Sequence, residues 1–197
     1  MMTSQIARAL GSDPCVSRCF IGVFPCDKLP VRVEYPCALV ANTDESDEKG
    51  EHWVAYFFDS NLSADYFDSY GNPPYNNYLL KFLTDNCKQY NCNNIQLQGF
   101  GSEVCGQYCI SFLAHRARGV SMDVFAENYR GQGPGDKDNS MAATINRNFN
   151  IAPEHQTGGR RGVICEQCCC SKTNCKAHRQ IMCCVTEKSA MKKKKNR

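Results

Sequence analysis

Four residues of the sequence, His52, Asp68, Gln98 and Cys105, have the types and the order that could activate a thiol for nucleophilic attack. A cysteine attacks as its thiolate, which is favoured at a helix N-terminus or beside an imidazolium. Residues 104–117 carry apolar side chains at helical spacing, and Cys105 falls in the first turn, where unpaired N–H groups stabilise an anion. The pattern therefore predicts Cys105 as the nucleophile.

The base must come from the four histidines of the chain, and spacing favours His52. His115 follows Cys105 on the same predicted helix, ten residues later, so a rise of 1.5 Å per residue separates the two by about 15 Å. His155 and His178 fall in segments expected to be poorly ordered or metal-binding. His52 comes directly after an exposed loop and begins a predicted strand, where its imidazole can face a cleft.

An acid and an amide donor complete the predicted site. Asp68 lies on the neighbouring strand of a predicted hairpin, where it can accept a hydrogen bond from the imidazole and hold its tautomer. Asp65 and Asp59 satisfy the same geometric requirement. Gln98 ends a predicted strand seven residues before Cys105. Its amide, with the Cys105 N–H, is expected to stabilise an oxyanion by about 3 kcal/mol per donor.

Short helices and short strands must position these residues. Ser102 is expected to cap the helix that carries Cys105, and Thr3 and Ser4 to cap the first helix. Cys109, on the Cys105 helix, is expected to be ordinary core. The apolar patterns predict helices over residues 3–10, 75–90, 104–117 and 121–129, and strands over residues 19–24, 37–42, 52–58, 65–68 and 95–98.

Length and composition predict one main domain. The chain has 197 residues, of which 42% are apolar, and its Gly-, Asn- and Ser-rich stretch predicts that the globular body ends between about residues 131 and 155. We therefore assign residues 1–150 to the domain and residues 151–197 to a tail. The sequence shows neither a signal peptide nor an apolar run of about 18 residues, so we expect a soluble, intracellular protein whose 15 cysteines are thiols, ligands or nucleophiles.

The tail differs from the body in charge and in cysteine content. Residues 1–154 carry 12 Lys and Arg against 18 Asp and Glu, a net −6, whereas residues 155–197 carry 11 against 2, a net +9. A polyanion such as DNA would therefore meet the tail, although solubility or nuclear targeting explains the charge equally well. A structural zinc site is predicted in the tail, with a disordered or lipidated cysteine tail as its alternative. Its four ligands would be Cys165, Cys168, Cys175 and His178.

Several motifs together resemble the adenovirus-type cysteine endopeptidases, the adenain family. They are His52-Trp53 with the strand that follows, the segment over residues 66–71, Gln98-Gly99, and Val104-Cys105-Gly106. The order His, acid, Gln, Cys is the same, and the resemblance extends over roughly residues 4–130. Members occur in adenoviruses and in virus-like DNA transposons.

The resemblance implies an α+β fold of the papain-like class with permuted order. It also implies cleavage of viral precursor proteins at glycine-containing sites through a thioester, for particle maturation in the host nucleus and virion.

Adenain has Glu where this chain has Asp68. It is activated by DNA and by a viral peptide that forms a disulfide. Cys87, or its competitor Cys92, lies where the enzyme's cysteine would fall. The acidic body departs from the basic DNA-binding surface of adenain, which leaves the tail to supply DNA binding.

Two other functions remain open from the sequence. A protease that removes a ubiquitin-like modifier would use the same residue types, with Asp as the acid. A non-catalytic nucleic-acid-binding protein would act through its basic tail. The first is distinguished by cleavage of a Gly-Gly fusion. The second is distinguished by removing residues 155–197, after which a protease should still cleave peptides whereas nucleic-acid binding should be lost.

Overall fold

A mixed five-stranded sheet organises residues 1–151, the part of the chain that the computed structural model describes. The strands are β1 Phe20–Pro25, β2 Cys37–Asn42, β3 Trp53–Phe58, β4 Ser63–Asp68 and β5 Gln89–Cys92, in that order across the sheet. The three central strands β2, β3 and β4 run antiparallel, whereas β1 is parallel to β2 and β5 is parallel to β4. The predicted α+β class is confirmed.

Five α-helices accompany the sheet in this part of the chain. They are α1 Thr3–Ser12, α2 Asn77–Asn86, α3 Cys105–Arg116, α4 Met122–Glu127 and α5 Asp138–Asn148, with 3-10 turns at Val16–Arg18 and Cys26–Lys28. Within residues 1–151, none of the helices has both the length and the apolar composition needed to cross a bilayer.

The two faces of the sheet are covered by different helices, because side chains alternate along each strand. On one face Phe82 of α2 meets Tyr56 and Phe58 edge to face, with ring centroids 5.2 and 5.5 Å apart. On the other face Phe112 of α3 stacks on Phe67 at 4.6 Å. All residues of β2 and β3 are buried. The helix that carries Cys105 is thus fixed against the second face of the sheet.

The hairpin of β3 and β4 forms as predicted, and local hydrogen bonds close its turn. The Asp59 carboxylate accepts from the Asn61 N–H at 2.8 Å and from the Ser63 hydroxyl at 2.7 Å, an arrangement typical of Asp at turns. The register pairs Val54 with Asp68. The end of β4 therefore lies beside the start of β3, where His52 is found.

Helix α3 begins at Cys105, one residue after the predicted start, and Ser102 does not cap it. Val104 occupies the N-cap position, and no side chain bonds to the first turn. The Ser102 hydroxyl oxygen is buried without a hydrogen-bond partner among the described residues. The N–H groups of the first turn consequently have no side-chain acceptor and keep their capacity to stabilise an anion at Cys105.

Other predicted elements differ from the structure at their ends. The first helix runs to Ser12, and Met2 instead of Thr3 or Ser4 takes the N-cap position. The helix predicted over residues 75–90 ends at Asn86, and residues 89–92 form β5 by pairing with the free edge of β4. The predicted strand over residues 95–98 does not form, and the N–H groups of Leu97 and Gln98 both donate to the Ser69 carbonyl. Beyond residue 131 the chain forms α5, which packs on α3.

Candidate active site

Cys105 is the first residue of α3, and its side chain is 7% exposed. Burial alone would raise the pKa of its thiol. The hydrogen bond to His52, the charge of that imidazole and the Trp53 backbone N–H together lower the pKa of Cys105 below its ordinary value. The physical conditions for a thiolate at this position are thus met.

The pKa values of the other described thiols are shifted in the opposite direction. Cys109 lies four residues further along α3, is fully buried and donates to the Trp53 carbonyl at 3.3 Å, and its pKa is raised well above normal by burial. The pKa values of five further thiols are raised as well, in each case chiefly by burial: Cys19, Cys26, Cys37, Cys87 and Cys92. Among the described thiols with a shifted pKa, Cys105 alone is shifted towards the thiolate.

His52 lies immediately before β3 and joins Cys105 to Asp68. Its Nε2 is 2.7 Å from Asp68 Oδ1. Because a carboxylate only accepts, Nε2–H is the donor, and Nδ1 is left to bond Cys105. Burial lowers the pKa of His52, but the bonds to Asp68 and to the Cys105 sulfur outweigh it and raise the pKa to about 9. The imidazole is therefore held as the cation that a thiolate needs.

Asp68 is completely buried at the end of β4. Three hydrogen bonds, each of which involves a backbone group, hold it in place. Its Oδ1 also accepts from the Tyr70 N–H at 2.8 Å. Its own N–H donates to Asn93 Oδ1 at 2.8 Å, and its carbonyl accepts from Asn93 Nδ2 at 2.6 Å. These bonds fix the carboxylate and, through it, the imidazole of His52.

The two carboxylates that the sequence leaves as alternatives to Asp68 have other partners. Asp65 pairs with Arg116 of α3 at 2.6 Å, and Asp59 closes the hairpin turn described above. His115 is also committed elsewhere, with Nδ1 2.7 Å from the Ser111 carbonyl within α3. The structure thus brings together His52, Asp68 and Cys105, and the catalytic roles of all three remain predictions.

Gln98 is buried close to this group, held by a turn of the chain instead of a strand. The N–H groups of Leu97 and Gln98 both donate to the Ser69 carbonyl, at 2.8 and 3.0 Å. Gln98 Oε1 accepts from the Ser69 hydroxyl at 2.7 Å, and its amide donates to the Tyr70 hydroxyl at 3.2 Å and to the Ser102 carbonyl. Both amide hydrogens have acceptors within the protein, so donation to an oxyanion would require one of these bonds to exchange.

Asp138, at the start of α5, contacts the loop that joins Gln98 to Cys105, and no sequence signal singled it out. Its carboxylate accepts from the Gly99 N–H at 3.1 Å and from the Tyr108 hydroxyl at 3.0 Å. A Cβ at Gly99 would lie 3.1 Å from the Cα of Gly135, so the two backbones touch. Helix α5 therefore holds the chain directly after Gln98.

Removing the Asp138 carboxylate should destabilise the domain. In Asp138→Ala the Gly99 N–H loses its acceptor, and we expect the free energy of unfolding to fall by about 1–3 kcal/mol, the usual cost of an unsatisfied buried group. Urea denaturation measures the change. Asp136→Ala is the matched control, because Asp136 is exposed and its carboxylate accepts from the nearby Gly133 N–H at 2.7 Å. An equal, small loss in both variants would contradict the role given to Asp138.

Cys87 and Cys92, the two cysteines considered for an activating disulfide, are not brought to this group. Cys87 lies at the end of α2, half-buried, and donates to the Leu83 carbonyl at 3.1 Å. Cys92 ends β5, and burial raises its pKa to about 11. The predicted zinc ligands Cys165, Cys168, Cys175 and His178 lie outside the described residues, within which no cluster of three or more His, Cys, Asp or Glu could hold a metal ion. A disulfide with an activating peptide stays a prediction.

Comparison with known proteins finds similarity to solved structures. No protein-family model matches the sequence, and no curated protein matches it. Among solved structures, the chain is similar to a crystal structure of the selenomethionine-labelled ASFV pS273R protease, with 29% sequence identity and a TM-score of 0.42. The match covers 61% of this chain and 47% of that one, so the chain spans about half of the length of that protease.

Proposed function

We propose that this chain is a cysteine endopeptidase. The observation that carries the proposal is the arrangement of Cys105, His52 and Asp68: a thiol with a lowered pKa, bonded to an imidazole with a pKa raised to about 9, which is 2.7 Å from a buried carboxylate. A nucleophile, its base and a group that orients the base within bonding reach define an activated nucleophile. A core thiol needs none of these partners.

The geometry supports acyl transfer in two steps. The Cys105 thiolate attacks the carbonyl carbon of the scissile peptide, and the carbonyl oxygen takes the negative charge. The Cys105 backbone N–H stabilises this oxyanion, joined by the Gln98 amide once it exchanges a bond with Ser102 or Tyr70. His52 gives its proton to the leaving nitrogen, the C–N bond breaks, and a thioester to Cys105 remains. A water then loses a proton to His52 and hydrolyses the thioester, which restores the thiolate and the imidazolium.

We extend the proposal to the substrates and the setting that the family resemblance implies. The chain would have the papain-like fold in permuted order and cut precursor proteins of a virus or virus-like element at glycine-containing sites, within the host nucleus or the virion. The net +9 of residues 155–197 supports a contact between this segment and DNA. A protease for a ubiquitin-like modifier is the alternative, because the same residues would serve it.

The test is cleavage of a peptide library by the 197-residue chain. We expect a library of peptides derived from a whole proteome to be cut at glycine-containing sites, and the cutting to stop after alkylation by iodoacetamide. A linear Gly-Gly fusion of a ubiquitin-like protein is supplied in parallel. Its cleavage would indicate the alternative, a protease for a ubiquitin-like modifier. If neither is cut, with or without added DNA, the endopeptidase proposal is wrong.

A further inference from the structure

Three aromatic rings lead from the candidate active site to solvent. The Tyr70 ring lies on the His52 imidazole with centroids 4.9 Å apart and a tilt of 32°. Phe100 stacks on Tyr70 at 6.0 Å and 15°. Tyr70 is half-buried, whereas the Phe100 side chain is 88% exposed, more than any other large hydrophobic residue described. One end of the stack is thus fixed at the imidazole and the other faces solvent.

The local backbone presents Phe100 at the tip of a tight turn. The Ser102 N–H donates to the Gly99 carbonyl at 3.3 Å, which closes a β-turn over residues 99–102. Gly101, the third residue of this turn, has a φ of +81°, a value that favours glycine. Asp138 holds the first residue of the turn, and Gln98 bonds the last. The turn is therefore anchored at both ends, and the ring of Phe100 cannot reach the core.

The chemistry of the proposed reaction gives this stack a position relative to the substrate. His52 must deliver its proton to the leaving nitrogen, so that nitrogen lies within hydrogen-bond distance of Nδ1. The substrate residues after the scissile bond begin at this nitrogen and must pass beside His52. Tyr70 covers the face of this imidazole. The centroid distances from His52 to Tyr70 and from Tyr70 to Phe100 are 4.9 and 6.0 Å. Together they correspond to the length of two or three extended substrate residues, at roughly 3.3 Å each.

We propose that Tyr70 and Phe100 form an aromatic shelf that binds the substrate on the leaving-group side. The shelf takes the first two residues after the scissile bond and selects aromatic and large aliphatic side chains, because these bury the exposed Phe100 ring and stack on it. This inference rests on the endopeptidase function proposed above and determines specificity at that same site. It assigns Phe100 a contact with substrate and no part in the chemistry.

The experiment compares Phe100→Ala and Phe100→Trp with the wild type, each as the 197-residue chain. The peptide library identifies the residues after each cut. A pair of peptides that differ only in Phe or Ser at the second residue after the cut then gives the ratio of kcat/KM. We expect wild type to prefer Phe by about tenfold, the range of one modest hydrophobic contact, Phe100→Ala to lose this preference, and Phe100→Trp to retain it. Val31→Ala is the control, because Val31 is 83% exposed in another loop, and it should keep the wild-type ratio.

The outcomes separate this inference from the function on which it depends. Cleavage by Phe100→Ala with an undiminished Phe preference would overturn the shelf and leave the endopeptidase standing. A wild type that prefers Ser or shows no preference would do the same. If wild type cuts no peptide, the endopeptidase proposal fails first, and the shelf fails with it.

Discussion

Replacing Cys105 by serine should lower the rate of peptide cleavage by roughly 10⁴-fold or more, because a hydroxyl is a far weaker nucleophile at neutral pH than a paired thiolate. The substitution exchanges sulfur for oxygen at a site that already holds His52 within bonding distance. The fold should therefore survive. Single-turnover cleavage of the best library peptide measures the rate, and thermal unfolding verifies the fold.

Cys19→Ser provides the matched control for this substitution. Cys19 is half-buried next to β1, its thiol donates to the Val16 carbonyl at 3.5 Å, and burial raises its pKa. Cleavage by Cys19→Ser should equal that of wild type. Cleavage by Cys105→Ser at the wild-type rate would show that the nucleophile lies elsewhere in the chain.

The sequence predicted best the elements whose signal is local. Strand β2 has the predicted bounds, because a short apolar run between polar segments has few alternatives. Hairpin β3–β4 follows from aromatic strands on either side of an Asp-Asn turn. Helix α3 follows from apolar residues at helical spacing, and with it the place of Cys105 at a helix N-terminus. Much of the secondary structure that positions the candidate site can therefore be predicted from local sequence patterns.

The predictions failed where contacts between distant segments decide the structure. Residues 89–92 continue the spacing of α2, yet they form β5 because β4 offers a free edge for pairing. Helix α5 has a polar composition, and only Asp138 and Ile145 of its residues are buried, too few for a periodic signal. The hydrogen bonds of Gln98 also depend on a loop conformation that no spacing rule contains. Asp138 could not be found for the same reason.

His52→Ala should remove the selective reactivity of Cys105 at pH 6.5. In wild type the imidazolium lowers the pKa of Cys105, so the thiolate fraction at a given pH is larger than it would be without His52. Without His52 the strongest remaining influence is burial, which raises the pKa of the thiol. Each unit of increase lowers the thiolate fraction tenfold at a fixed lower pH. We therefore expect iodoacetamide to label Cys105 about 100-fold more slowly in the variant.

The pH dependence distinguishes a paired thiol from a thiol that is merely accessible. In wild type, labelling of Cys105 should rise with pH to a midpoint below 9 and then stay level, because iodoacetamide needs only the thiolate. Cleavage should rise over the same range and fall as His52 loses its proton at about pH 9, because the leaving nitrogen needs that proton. Mass spectrometry of labelled peptides from pH 5 to 10 gives the first profile, and peptide cleavage gives the second.

Asp68→Asn is the companion variant for these profiles. Asparagine preserves the size of the side chain but removes the charge that raises the pKa of His52. The falling limb of cleavage should therefore shift below pH 9, while the Cys105 thiol stays in place.

The labelling of Cys105 in His52→Ala can contradict the proposed pairing in two ways. If His52→Ala and wild type label Cys105 equally slowly at pH 6.5, His52 and Cys105 do not form an ion pair in solution. If labelling is equally fast in both, the thiolate owes its stability to the N-terminus of α3 instead of the imidazole.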